Sequence, residues 1–94
     1  MVNLIAQIDA KPGAEAKVAE ALRAVVGPSR AESGCVSYTA YRSKDCATSF
    51  HVVETWKSSE ALDAHTKTAH FQAFSAAIAD AVAGPPKMTF LEEL

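Results

Sequence analysis

The sequence predicts one small α+β domain with its elements in the order β-α-β-β-α-β. Three observations carry that reading. Four segments alternate apolar and polar residues with the two-residue period of a strand, and two segments between them repeat apolar residues at helical spacing. Glycine, proline or short polar stretches separate the segments. The chain has 94 residues, too few for a second hydrophobic core, so a single domain over 1–94 is expected.

The first strand is expected over 2–9, where Val2, Leu4, Ala6 and Ile8 share a face. Pro12-Gly13 ends it. From Ala14 onward Val18, Ala21, Leu22 and Val25 recur at helical spacing, with Lys17, Glu20 and Arg23 opposite them. Gly27-Pro28 is expected to stop this helix, because proline cannot donate to the ladder. Ser29 and Glu32 have capping-box spacing, so residues 29–33 read as a separate helical turn.

Residues 35–43 and 48–56 are rich in Val, Tyr, Phe, Thr and Trp, with a polar link short enough for a hairpin. Phe50, Val52, Glu54 and Trp56 point one way in the second of them, and Ser49, His51, Val53 and Thr55 the other. Ser58 or Ser59 caps a helix through Leu62 and His65, and Thr68 caps a second helix or marks a kink. Phe71, Phe74, Ile78 and Val82 fit one face of a continuous helix that Gly84-Pro85-Pro86 ends. Residues 87–94 form the last strand, with Met88 and Phe90 alternating against Thr89 and Leu91. Two interleaved right-handed crossovers in this order give the ferredoxin-like arrangement, an antiparallel sheet with helices on one face.

Composition narrows the function. A net charge of −2 with scattered Lys and Arg argues against nucleic acid. No apolar run approaches the ~20 residues of a membrane span, and the start lacks signal-peptide features, so a cytoplasmic protein is expected. Cys35 and Cys46 sit too far apart along one hairpin to bridge, and neither belongs to a CxxC pair. Hydrophobic residues make up 49% of the chain, and the strands carry them on both faces. The sheet face without helices is therefore expected to pack on a second copy, making a homodimer.

Candidate chemistry concentrates between Glu54 and Phe74. The pattern Glu54-x-Trp56, then Ala61-Leu62-x-x-His65, then Thr68-x-His70-Phe71-x-x-Phe74 resembles the antibiotic biosynthesis monooxygenase domains, which form dimeric α+β barrels. The link Ser29-Arg30-x-Glu32-x-Gly34-Cys35-x-x-Tyr38 is similar to that family's entry into its second strand. The resemblance implies a pocket between sheet and helices for a planar phenol, quinol or polyketide-like ring. It also implies oxidation of that ring by molecular oxygen without a metal, flavin or other cofactor.

On that reading His65 is the first choice as proton acceptor, since an imidazole can titrate near neutral pH. Glu54, if buried, has a raised pKa and becomes its possible acid or base partner. Trp56 would wall the pocket; Phe74, Tyr38, His70 and His51 are the further candidates to touch substrate. His70 follows His65 by five residues, about 140° around one helix, which disfavours a shared metal unless Thr68 breaks the helix. No metal is expected.

The chain departs from the polyketide-oxidising members, which carry Asn and Tyr where Val52 and Leu62 stand here. Ser75 and Gln7 occupy the positions of the His and Asn that haem-degrading relatives need. The stretch from His65 to Phe71 with Gly84-Pro85 is also similar to relatives that isomerise small phosphorylated signalling molecules; Arg30 and Arg42 are then the cations available for phosphate. A non-catalytic dimer that binds a small molecule is the third alternative.

Overall fold

A computed structural model describes residues 1–94. Its elements are β1 (Val2–Asp9), α1 (Glu15–Arg30), β2 (Cys35–Arg42), β3 (Ser49–Trp56), α2 (Ser59–Thr66), α3 (Ala69–Ile78) and β4 (Lys87–Leu91). The four strands make one sheet in the order β2-β3-β1-β4, and every pairing is antiparallel. This is the predicted ferredoxin-like fold, with the second helical region divided in two.

Register follows from side-chain alternation. Leu4 lies opposite Glu54, Ala6 opposite Val52 and Ile8 opposite Phe50, which puts the apolar face of β1 on the same side as Trp56. Tyr38 and Ala40 of β2 join that face opposite Glu54 and Val52. Above it α1 lowers Val18, Ala19, Leu22 and Val25, and α3 contributes Ile78. Burying these groups supplies the main driving force for folding.

Two helix ends differ from expectation, each for a physical reason. First, α1 does not stop at Gly27-Pro28 but runs through Pro28 to Arg30. Pro28 forfeits one ladder bond near the helix end, where the loss is small. The last turn is pinned by Ser29, which is fully buried, and by Arg30, whose Nε donates to the Tyr38 carbonyl at 2.8 Å. The capping box does not form: Ser29 Oγ has no hydrogen-bond partner, and Glu32 is engaged elsewhere.

Of the two readings of Thr68 the structure takes the cap, its hydroxyl accepting from the Phe71 N–H at 3.2 Å as a new helix starts. Second, α3 ends at Ile78 and does not continue to Val82. Val82 forms an isolated bridge with Ala10, and the Ala81 carbonyl and Ala83 N–H bond to Lys11 and Asp9. The end of β1 takes over backbone groups that a longer helix would have used internally. The last strand likewise stops at Leu91.

Gly34 has a role that only contact reveals. A Cβ placed there would lie 2.4 Å from the Ala61 Cβ, so the absence of a side chain lets α2 approach the start of β2. Cys35 and Cys46 are both free thiols.

Candidate functional site

The entry to β2, the end of β3 and the junction of α2 with α3 meet at His65. The imidazole is 2% exposed, and its Nδ1 lies 2.6 Å from Glu32 Oε2. His70 Nε2 reaches the same oxygen at 2.7 Å. One carboxylate oxygen thus accepts from two rings, and the network joins the loop after α1 to both short helices.

Aromatic rings enclose His65. Its centroid is 4.5 Å from that of Trp56, 5.5 Å from Tyr38 and 5.0 Å from Phe71, with His70 at 6.0 Å. Trp56 is fully buried, and its Nε1 donates to Glu54 Oε1 at 2.9 Å. Glu54 and Trp56 are two residues apart on one strand, so the pleat places them side by side. Burial pushes the Glu54 carboxyl up, and the Trp56 hydrogen bond and the nearby His65 oppose that rise. Burial also pushes the Tyr38 phenol up, reinforced by Glu54.

The hydrogen-bond pattern assigns the His65 tautomer. An ionised Glu32 can only accept, so Nδ1 of His65 carries the hydrogen in the neutral ring. Nε2 is left with its lone pair and takes no hydrogen bond from the chain. A carboxylate that holds one imidazole nitrogen as donor leaves the other as a base, the arrangement used wherever a carboxylate orients a catalytic histidine.

The break at Thr68 also removes the objection to a shared metal. Glu32, His65 and His70 place one ligand atom each within 4.8 Å of one another. Two imidazoles and a carboxylate are a ligand set that divalent zinc or iron accepts.

Of the residues singled out in the sequence, His65, His70, Trp56, Glu54 and Tyr38 converge. Phe74 is half-buried and packs on the core. His51 pairs with Gln7 and Tyr41, alternating with the residues that face the helices, and so lies on the opposite sheet face with Ser49 Oγ 3.4 Å away. It is not part of this cluster. Glu32 is the member that sequence reasoning missed. Its spacing to Ser29 suggested a cap, and only the fold brings it against two histidines 33 and 38 residues later.

The expected pocket walled by Trp56 is absent from the three main clefts, none of which is lined by Trp56, Glu54 or His65. One, of about 520 Å³, runs between α2 and β4 and is lined by Leu62, Thr66, Met88 and Phe90, with Glu60 and Asp63. Another, of about 390 Å³, runs between α1 and β2. The third, about 690 Å³, lies by Asn3, Thr55 and the residues after β4.

Known proteins resemble this chain in sequence and in fold. A Mycobacterium tuberculosis protein provisionally named a monooxygenase is 32% identical over 93 residues, 99% of this chain and 91% of that protein. A Bacillus subtilis protein with a similar provisional name is 34% identical over 76 residues, 81% of this chain and 80% of its own length. An uncharacterised Synechocystis protein is 32% identical over 81 residues, but this chain spans only 55% of its length. Among solved structures, one from Pseudomonas aeruginosa superposes with a TM-score of 0.94 at 35% identity, covering 99% of this chain and 93% of the other. A Nitrosomonas europaea structure, provisionally named an antibiotic biosynthesis monooxygenase, gives 0.95 at 28% identity, with 100% and 99% covered. The sequence pattern of the antibiotic biosynthesis monooxygenases matches residues 1–77, and with these relatives it makes the chain a member of that family.

Proposed function

We propose that this protein oxidises a small quinol or phenolic ring with molecular oxygen, using His65 as the base and no bound cofactor. The observation that carries the reading is the 2.6 Å contact between Glu32 and Nδ1 of His65, which leaves Nε2 as a free acceptor in an apolar shell. In the proposed reaction Nε2 removes the phenolic proton. The resulting electron-rich anion joins O2 through a ring carbon to give a hydroperoxide, the imidazolium returning the proton to oxygen. Loss of water converts the CH–OOH carbon to C=O. A phenol C–OH, a ring C–H and O2 thus become two C=O groups and H2O, and the substrate supplies all the electrons. The protein contributes orientation, exclusion of water and proton transfer.

The α2–β4 cleft suits such a substrate. Leu62, Met88 and Phe90 offer apolar surface, and Phe90 is 61% exposed although it faces the helix side of the sheet. Glu60 and Asp63 at the same cleft disfavour a phosphorylated ligand, which speaks for oxygenation over the isomerase alternative. None of the three main clefts is lined by His65, so substrate access from the α2–β4 cleft requires the two-turn helix α2 to yield.

The proposal includes a homodimer through the helix-free sheet face, where Val53, Tyr41 and Leu91 are exposed. Such a dimer would cover apolar groups that the fold leaves in water.

Oxygen uptake with a panel of quinols tests the function. Chelator-treated protein should keep its rate, and His65→Ala should lose about 100-fold or more, the usual contribution of a positioned base. Loss of activity on chelation, restored by zinc or iron, would replace the proton-transfer reading with a metal held by Glu32, His65 and His70. Failure of every quinol to consume oxygen would sink it.

A further inference from the structure

The α1–β2 cleft, unlike the other two, is lined by cations and by no carboxylate. The chain contains three arginines, Arg23, Arg30 and Arg42, and all three line this one cleft. No aspartate or glutamate lines it, and none of the three guanidinium groups takes part in an ion pair. In a chain of net charge −2, with eleven acidic residues available to pair, this convergence is unusual. Arginine elsewhere on a surface is commonly met by a carboxylate within reach.

Two of the groups are held in place. Arg30 comes from the last turn of α1, and its Nε donates to the Tyr38 carbonyl at 2.8 Å, leaving both terminal nitrogens to bond elsewhere. Arg42 comes from the end of β2, and its guanidinium lies 5.0 Å from the Phe50 ring centroid. Arg23 sits two turns before Arg30 on α1, on the same side of the helix. Between them the lining is apolar, from Leu22, Val26 and Phe50.

The volume of about 390 Å³ is that of a small-molecule site and far too small for a polymer groove. Guanidinium forks bind oxyanions such as carboxylate in bidentate fashion, and the apolar lining rewards a hydrocarbon body. Neither a bare inorganic anion nor a neutral aromatic satisfies both halves.

We propose that the cleft between α1 and β2 binds a small organic anion, an aromatic body carrying an oxyanion such as carboxylate, with Arg23, Arg30 and Arg42 receiving the charge and Leu22, Val26 and Phe50 the ring. The site is separate from the His65 cluster and does not depend on the reaction assigned to it.

The test titrates 15N-labelled protein with naphthalene-1-carboxylate, its neutral carboxamide, and acetate. The carboxylate should shift the amides of residues 22–30 and 39–42 saturably. The carboxamide should bind at least tenfold more weakly because it cannot form charge-assisted bonds, and acetate more weakly still because it has no ring. Raising sodium chloride from about 50 to 500 mM should weaken the carboxylate several-fold by screening the guanidinium charges. Arg23→Gln with Arg42→Gln, checked for an unchanged amide spectrum, should lower affinity at least tenfold; if that pair does not fold, the carboxamide and salt comparisons still decide. Equal affinity for carboxylate and carboxamide, shifts centred on α2 and α3, or no saturable shift at millimolar ligand would each overturn the proposal. Acetate binding as tightly as the naphthalene carboxylate would overturn the aromatic half.

Discussion

At the scale of the residue, Glu54 makes the sharpest prediction. Its carboxyl is 5% exposed and its pKa is raised by burial. A carboxyl whose folded pKa exceeds its unfolded value binds more protons when folded, so stability falls as pH rises from the ordinary glutamate range to the raised value, then levels. Glu54→Gln retains an acceptor for Trp56 and removes the charge. Melting temperatures compared across pH should show the variant gaining on the wild type from pH 4 upward, with the difference vanishing in acid. A difference independent of pH would contradict the buried-carboxyl account. Glu32 acts by positioning: Glu32→Gln can present a hydrogen-bond donor where His65 needs an acceptor. Turnover should fall and the pH profile should shift, whereas a purely structural role would leave the profile in place.

At the scale of the element, the approach of α2 to β2 depends on one missing side chain. Gly34→Ala should destabilise the fold by about 1–3 kcal/mol, since the new methyl meets the Ala61 methyl rather than a flexible tip. Adding Ala61→Gly should recover most of that loss, less about 1 kcal/mol for glycine in a helix, as chemical denaturation can measure. Thr68→Ala should cost about 1 kcal/mol through the lost cap on α3. The strand faces and the body of α1 were legible in the sequence because alternation and helical spacing are local signals. Leu4, Ala6, Ile8 and Val52 are buried as their spacing required. What was not legible depended on distant groups. Pro28 stays in α1 because Arg30 is anchored to β2 and Ser29 is buried, and α3 ends at Ile78 because Asp9 and Lys11 claim the backbone that follows. His65, Trp56 and Glu54 could be read as neighbours, but Glu32 could not, because its partners lie across the fold.

At the scale of the whole molecule, helices cover one face of the sheet and leave the other bare. Val53, Tyr41 and Leu91 are exposed on a face that also holds Ile5 and the Asn3–Thr55 hydrogen bond. Sedimentation at micromolar concentration should report a dimer, and Val53→Asp should shift it to monomer while preserving the circular-dichroism spectrum. A wild-type monomer at that concentration would remove the dimer from the proposal. No helix is long and apolar enough to cross a membrane, so that face is not explained as part of a helical span.

The contact between Trp56 and His65 also makes the protein its own optical reporter. The chain has a single tryptophan, fully buried, with its indole centroid 4.5 Å from the imidazole. Its emission should lie at short wavelength, because no water relaxes around the excited indole. Anything that moves the buried imidazole against the indole changes the intensity of that one band. Ligand arrival or a metal drawn to Glu32 can each be followed in a cuvette, without label and before any substrate is known.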